Sequence, residues 1–280
     1  MAESVGPDRC VKDTDRGKER EAFSMSDEIL RSRDEHVEVL TINRPQARNA
    51  INLATAVALS SALDDCENDD DVWVVILTGA EDKAFSAGMD LKAFAQGEFP
   101  ATDQGFGGVT QRRFTKPLIG AANGSALAGG FEILLACDLV VAAEHAVFGI
   151  PEVQRGLIAG AGGLIRLPRR IARAVALEMA LTGEPLSAQR AYDVGLVNRV
   201  TPSADVMNVA VALAKRICAN APLAVRTSKH VMRDAVELTE DAAWSLNAEA
   251  FTAVAASADA LEGAIAFAQK RPPRWQGTSS

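Results

Sequence analysis

The amino-acid sequence predicts an α/β fold, and three observations carry that prediction. Residues 36–42 (HVEVLTI) alternate apolar and polar at period two, as a half-buried strand does. Residues 52–68 place Leu53, Ala56, Val57 and Leu63 at helical spacing and end in an acidic turn. Residues 72–78 (VWVVILT) are a continuous apolar run of strand length, the pattern of a strand buried on both faces. Strand, helix and buried strand in succession open a layered α/β architecture.

The remaining elements follow in order. Residues 1–26 are polar, mixed in charge and aperiodic, and read as a disordered tail or a tag, with Met25 the better start for a folded unit. After residue 78, the segment KAFSAGMDL (83–91) is a small-residue turn leading into a helix, with Asp90 near the helix start. Residues 93–113 hold Phe94, Phe99 and Phe106 among four glycines, and a loop of that length inside a compact domain reads as a lid or pocket wall. Residues 116–122 form a short strand that delivers the chain into AANGSALAGGFEILLACDLVVAAEHAVFGIPE (121–152), a glycine-rich turn followed by an apolar run. A second glycine cluster, 156–163, precedes a basic helix start at 166–171 and a helix over 172–181. Beyond Pro202 the strand signals stop. Residues 206–219, 223–236, 242–256 and 259–268 all read as helices, which divides the chain into a 1–26 tail, a 27–205 core and a 206–280 helical region.

Composition narrows the function classes. A net charge of −8 argues against a general nucleic-acid surface, which needs clustered Lys and Arg. Cys10, Cys66, Cys137 and Cys218 are far apart with no CxxC, and read as reduced thiols of a cytoplasmic protein. His36, His145 and His230 are isolated, so no metal site is expected. The longest apolar stretch, 131–143, is interrupted by Glu132 and Asp138 and is too short to cross a bilayer, and no signal peptide precedes it. No GxxxxGK[ST] or GxGxxG is present, so nucleotide binding of those types is unsupported.

The chemistry concentrates in residues 121–152. A helix starting near Ala128 leaves its first N–H groups, including that of Gly129, without intrahelical acceptors. They can donate to a ligand oxygen, and Glu132 lies one turn deeper on the same face. The plainer reading of Glu132 is an acid that stabilises a first helical turn. Ala87-Gly88 is a second small-residue turn before a helix, and alone it reads as an ordinary tight connection. If the two turns converge, their N–H groups form an oxyanion hole, worth roughly 3–4 kcal/mol per donor. Glu152, behind Pro151, reads alone as a solvated loop acid.

Taken together, NRPQARNAI (43–51), AFSAGMDL (84–91), KPLIGAANGSALAGGFEILLACDLVVAAE (116–144), FGIPEVQRGLIAGAGGLIRLPRRI (148–171) and LTGEPLSAQRAYDVGLVNRV (181–200) resemble the enoyl-CoA hydratase/isomerase (crotonase) superfamily. The resemblance covers roughly residues 34–272. It implies a spiral of ββα units followed by a helical trimerisation region, with trimers or hexamers built as paired trimers. The resemblance puts the oxyanion hole on the N–H groups of Ala87 and Gly129, and the two hydratase glutamates on Glu132 and Glu152. It puts the coenzyme A contacts on Arg44, Ala47, Arg48, Ala87, Gly88, Met89, Asp90 and Gly129. Phe267 and Lys270 correspond to positions that reach a neighbouring subunit's coenzyme A. Retention of both acids points to hydration of 2-trans-enoyl-CoA, with isomerisation or a carnitinyl-CoA-like dehydration as the alternative. The acyl-CoA thioester is the substrate and no cofactor is implied. Ala128, Ser125 and Met89 depart from the commonest family residues and bear on acyl-chain preference.

Overall fold

The computed structural model describes Met1 and residues 28–277; apart from Met1, the expected tail lies outside the described residues. The chain enters through a hairpin, β1 (Ile29–Asp34) and β2 (Val37–Ile42), and crosses on α1 (Leu53–Asn68) to β3 (Val74–Gly79). Next come β4 (Ala84–Ser86), α2 (Leu91–Ala95) and a small hairpin of β5 (Ala101–Thr102) and β6 (Gly105–Phe106). The chain continues through β7 (Leu118–Ala122), β8 (Ser125–Leu127) and α3 (Gly129–Ala136). It then runs through β9 (Leu139–Ala143), β10 (Val147–Gly149), a 3-10 turn over Pro151–Arg155 and α4 (Gly163–Arg170). The last mixed segment is α5 (Arg173–Thr182), β11 (Leu186–Ser187), α6 (Ala188–Asp193) and β12 (Arg199–Thr201). Four helices finish the chain: α7 (Val206–Cys218), α8 (Pro222–Ala235), α9 (Glu240–Ala255) and α10 (Ala258–Gln269).

The strands sort into a six-stranded sheet ordered β1-β2-β3-β7-β9-β12 and a four-stranded sheet ordered β11-β10-β8-β4. Pairing is parallel except for β1 with β2 and β10 with β11. β3-β4-α2, β7-β8-α3 and β9-β10-α4 are therefore three turns of one spiral. Each turn lays its first strand in the large sheet, its second in the small sheet and its helix after both. The ββα winding expected from the sequence is the observed architecture.

Local chemistry explains the elements that frame the site. Asn52 caps α1 by accepting the Thr55 N–H at 2.9 Å. The buried side of α1 is Ala56, Leu59, Ala62, Leu63 and Cys66, three or four residues apart. β3 is buried at every position, as its unbroken apolar run requires. α3 is buried almost throughout, and it packs so close to β7 that a side chain at Gly120 would collide with Leu134.

β1 escaped the sequence reading, whose first strand is residues 36–42. Ile29 is its buried residue, and Arg31 and Arg33 each close at 2.8 Å on the Glu38 carboxylate across the hairpin. An edge strand held by ion pairs carries no apolar alternation. After residue 205, α7 lies on the large sheet against β2, β3, β7 and β9, with Val206, Ala210 and Ala214 buried. α8 packs on α9 and α9 on α10, and α9 buries no residue.

Candidate active site

Two backbone turns meet where the small sheet hands the chain to its helices. Ala128 stands before α3 at φ 50°, with its N–H on the Gly149 carbonyl at 2.9 Å and its carbonyl accepting from Phe131 and Glu132 at 2.9 and 3.0 Å. Gly129 is the first residue of α3, so its N–H has no intrahelical acceptor. The second turn runs past Gly88, whose φ of 89° suits glycine. A Cβ on Gly88 would stand 2.9 Å from the Gly129 nitrogen and 2.9 Å from the Leu127 oxygen, so the two turns touch. The convergence posed as a condition by the sequence is met.

One assignment within that pair changes. The Ala87 N–H donates to the Arg48 carbonyl at 3.0 Å, and the Gly88 N–H to Ser86 Oγ at 3.2 Å. The Gly88 carbonyl accepts from Ile51, and Asp90 N–H donates to the Ile51 carbonyl. The donor this turn leaves uncommitted is the N–H of Met89, which accordingly replaces Ala87 beside Gly129. The wall of the turn is aromatic: a Cβ on Gly129 would come within 2.5 Å of the Phe106 ring, which reaches here from the 93–113 segment.

The two acids sit in opposed settings. Glu132, on the first turn of α3, is 2% exposed. Its Oε1 accepts the N–H groups of Ala161 and Gly163, each at 2.8 Å. Gly163 begins α4, so Glu132 holds the N-terminus of a second helix and gains from its dipole. Burial raises the Glu132 carboxyl above the ordinary range, while the two N–H groups and the Arg166 guanidinium pull it back down. Glu152, in the 3-10 turn, has a buried Oε2 with no hydrogen-bond partner. Burial pushes its carboxyl up to about 7; its own backbone N–H lowers it, the Glu132 charge raises it and Arg155 lowers it. One buried carboxyl has three groups favouring its charge, and its neighbour holds a proton near neutrality.

A family profile described as enoyl-CoA hydratase/isomerase matches residues 32–278. The chain belongs to the enoyl-CoA hydratase/isomerase family. It is 47% identical to an enoyl-CoA hydratase from Mycobacterium tuberculosis H37Rv, with a TM-score of 0.88 over 90% of this chain and 100% of that one. It is 45% identical to a carnitinyl-CoA hydratase from Mycobacterium avium, with a TM-score of 0.73 over 91% and 100% of the two chains. Among curated relatives, a carnitinyl-CoA dehydratase from Salmonella arizonae is 39% identical over 261 residues, which is 90% of this chain and 100% of that protein. The fold and the reaction class are those of the crotonase superfamily.

The residues matched to coenzyme A contacts in this family member divide into struts and free groups. Arg44 is a strut. Its guanidinium meets Glu28 at 3.2 Å, Asp90 at 3.0 Å and the Ala50 carbonyl at 2.6 Å. Asp90 is its counterpart, capping α2 by accepting from Lys92 at 3.1 Å and Ala93 at 3.4 Å. Against its burial, Arg44 and these N–H groups hold the Asp90 carboxyl below the usual range. Together they brace the 44–51 loop against the Met89 turn. Ala47 closes a short 3-10 turn that ends at Arg48 in the left-handed region, φ 52°. The Arg48 side chain is exposed. Phe267 is 88% exposed, and Lys270 ends α10 at φ 52° with an exposed side chain.

Three contributors were missed or undervalued in the sequence: Gly163, Ala161 and Arg166. The 156–163 glycine cluster was their one signal, and its value is specific. A Cβ at Gly163 would lie 3.1 Å from Glu132 Oε1, so glycine keeps the carboxylate against the start of α4. Among the described residues no group of three or more His, Cys, Asp or Glu side chains is arranged to hold a metal ion. No helix among them is long and apolar enough to cross a membrane alone.

Proposed function

We propose that the protein adds water to 2-trans-enoyl-CoA thioesters to give 3-hydroxyacyl-CoA. The observation that carries this reading is the unlike pair of acids, Glu132 buried and Glu152 part-buried, beside two free N–H donors. The thioester carbonyl accepts from the N–H groups of Met89 and Gly129, which stabilise the negative charge that grows on oxygen as the enolate forms. A water lies between the carboxyls. Glu132, the acid with partners for its charge, takes a proton as the water oxygen bonds to C3. Glu152, the acid that keeps its proton near neutrality, delivers that proton to C2. The product gains one water, Glu132 ends protonated and Glu152 ionised, and a proton passes back between them to reset the pair. Every bond change is a proton transfer or an addition, so the step calls for no cofactor.

The same groups run in reverse dehydrate a 3-hydroxyacyl-CoA. This second reading is favoured by one observation: relatives 39–40% identical across their whole length are named carnitinyl-CoA dehydratase. A panel of crotonyl-CoA, longer and sterol-derived enoyl-CoAs, and carnitinyl-CoA, followed by the enoyl thioester absorbance, separates the two. Loss of absorbance on simple enoyl-CoAs supports hydration, and its appearance from carnitinyl-CoA alone supports dehydration. No change with any substrate sinks both. Glu132→Gln and Glu152→Gln should each lower kcat by roughly two orders of magnitude or more with little change in coenzyme A affinity; near-normal turnover in either removes the roles given above.

The active unit is a homotrimer or a pair of trimers. Support comes from α8–α10, where Met232, Trp244, Phe251 and Phe267 are all more than 60% exposed in the single chain, more apolar surface than a lone subunit leaves bare. Sedimentation of the wild type tests this directly, and a monomer would refute it.

A further inference from the structure

Arg166 is half-buried one helical turn beyond Gly163, the residue whose N–H holds Glu132. One of its nitrogens, Nη2, donates to the Thr110 carbonyl. No other acceptor is found for this guanidinium among the described residues, although it carries five N–H donors. It makes no ion pair with Glu132, yet each group senses the other's charge. The backbone makes room for it: Gly162 stands at φ 111°, and a Cβ there would collide with Arg166 Nη1. A half-buried cation with spare donors, next to an acid and given space by a glycine, is more than a surface charge.

Thr110 belongs to the 105–113 wall whose Phe106 ring packs on Gly129. Arg112 fastens the other side of that wall to α1. Its Nε donates to the Gly108 carbonyl at 3.0 Å, and its other nitrogens reach Ser60 Oγ at 2.9 Å and Asp64 at 2.6 Å. The wall thus stays attached without Arg166. What Arg166 adds is a tie to the helix that carries the Glu132 cap.

We infer that Arg166 is a positioning residue for the Glu132 carboxylate, joining the aromatic wall of the site to the helix whose first N–H holds that acid. The inference rests on the hydratase reading for its consequence in turnover, and on geometry alone for its consequence in charge. The groups facing Glu132 with charge are Arg166 from α4 and Glu152 from the 3-10 turn. β4, β6, β7 and β8, which also lie against α3, carry no ionisable side chain. Arg169 and Arg170 act on Arg166 itself and lower its own affinity for a proton. Removing the Arg166 cation therefore leaves Glu132 with its two N–H partners, the Glu152 carboxyl and its burial, and favours its protonated form.

The test compares Arg166→Met, Arg166→Gln and Arg166→Lys with the wild type. In Arg166→Met the acidic limb of the kcat profile should move to higher pH, with kcat at neutral pH down roughly tenfold and KM within about twofold. Arg166→Lys should keep the limb near its wild-type position. Arg166→Gln loses the charge and keeps a polar amide; it should move the limb as Arg166→Met does, and serves alone if Arg166→Met does not fold. A limb that stays in place in a folded, uncharged variant, with kcat reduced evenly at every pH, overturns the inference. Carbon-13 carboxyl NMR, with the Glu132 signal assigned by its loss in Glu132→Gln, gives a readout independent of turnover. If Glu132 titrates at higher pH in Arg166→Gln while no enoyl-CoA is hydrated, Arg166 keeps its role and the hydratase reading falls. If hydration is robust and the Glu132 titration does not move, the inference falls alone.

Discussion

Replacing Glu152 by Gln should make the protein more stable at pH 8 than the wild type, and the structure sets the size of the gain. Burial raises the Glu152 carboxyl from 4.5 to about 7. Between those pH values the folded protein keeps a proton that the unfolded chain has released, so this group's contribution to stability falls as pH rises through the window. Above about pH 7 the full penalty of an ionised, poorly solvated carboxylate is present. At about 1.4 kcal/mol per pH unit the gap bounds the penalty at roughly 3.4 kcal/mol. The carboxyl is only part-buried, and solvent screening brings the expected effect to about 2 kcal/mol. An amide does not titrate, and whatever packing penalty it carries is the same at every pH. Urea unfolding of both proteins at pH 5 and pH 8 isolates the effect as the change in their stability difference. An advantage of Glu152→Gln that grows by about 2 kcal/mol between the two pH values is the expected result. A difference that stays constant across the range would refute the claim that burial holds the proton on Glu152.

Gly129→Ala should keep most of the fold's stability and lower kcat by roughly ten- to a hundred-fold, because the new methyl, 2.5 Å from the Phe106 ring, shifts the wall and the donor together; steady-state kinetics beside a thermal melt checks both halves. Gly130→Ala meets backbone at Ser86, which cannot yield as a ring can, and should destabilise by about 1–3 kcal/mol in urea unfolding. Arg44→Met leaves Asp90 and Glu28 without their shared cation and should lower stability by about 2–3 kcal/mol, read by the same assay.

The sequence displayed the fold through its apolar periodicity and hid the parts of the site that depend on backbone direction. α1, β3, β7 and α7 announce themselves through their apolar residues, because burial selects side chains. β1 does not, since Arg31 and Arg33 satisfy Glu38 instead of filling a core. The acids Glu132 and Glu152 were legible as a pair flanking a glycine-rich turn. Which N–H is left without an acceptor was not: Ala87 and Met89 differ by two residues, and what separates them is the Arg48 carbonyl, brought alongside by the 44–51 loop. The side chains in the turn carry no record of that hydrogen bond. Arg44 and Asp90, matched by the resemblance to coenzyme A contacts, answer each other across the fold, a pairing that their positions in the sequence do not display.

The winding of the chain also explains how two identical side chains come to sit in unlike settings. Two of the spiral's turns, β7-β8-α3 and β9-β10-α4, end in a helix that begins at a glycine with free N–H groups. At α3 the Gly129 donor is left without an intrahelical acceptor. At α4 the Gly163 donor is given to Glu132, with the Ala161 N–H beside it. Those N–H groups offset part of the burial that still holds the Glu132 carboxyl above its ordinary range. Glu152 comes from the 3-10 turn between β10 and α4 and does not share those donors, and its orphaned Oε2 marks the difference. The difference between the two carboxyls is therefore a property of where each leaves the spiral. A single substitution at Gly163, whose Cβ would press on Glu132 Oε1 at 3.1 Å, should narrow it. In Gly163→Ala the Glu132 carboxyl should titrate at higher pH, closer to Glu152. A Glu132 titration unchanged by that methyl would show that the N-terminus of α4 does not set the base.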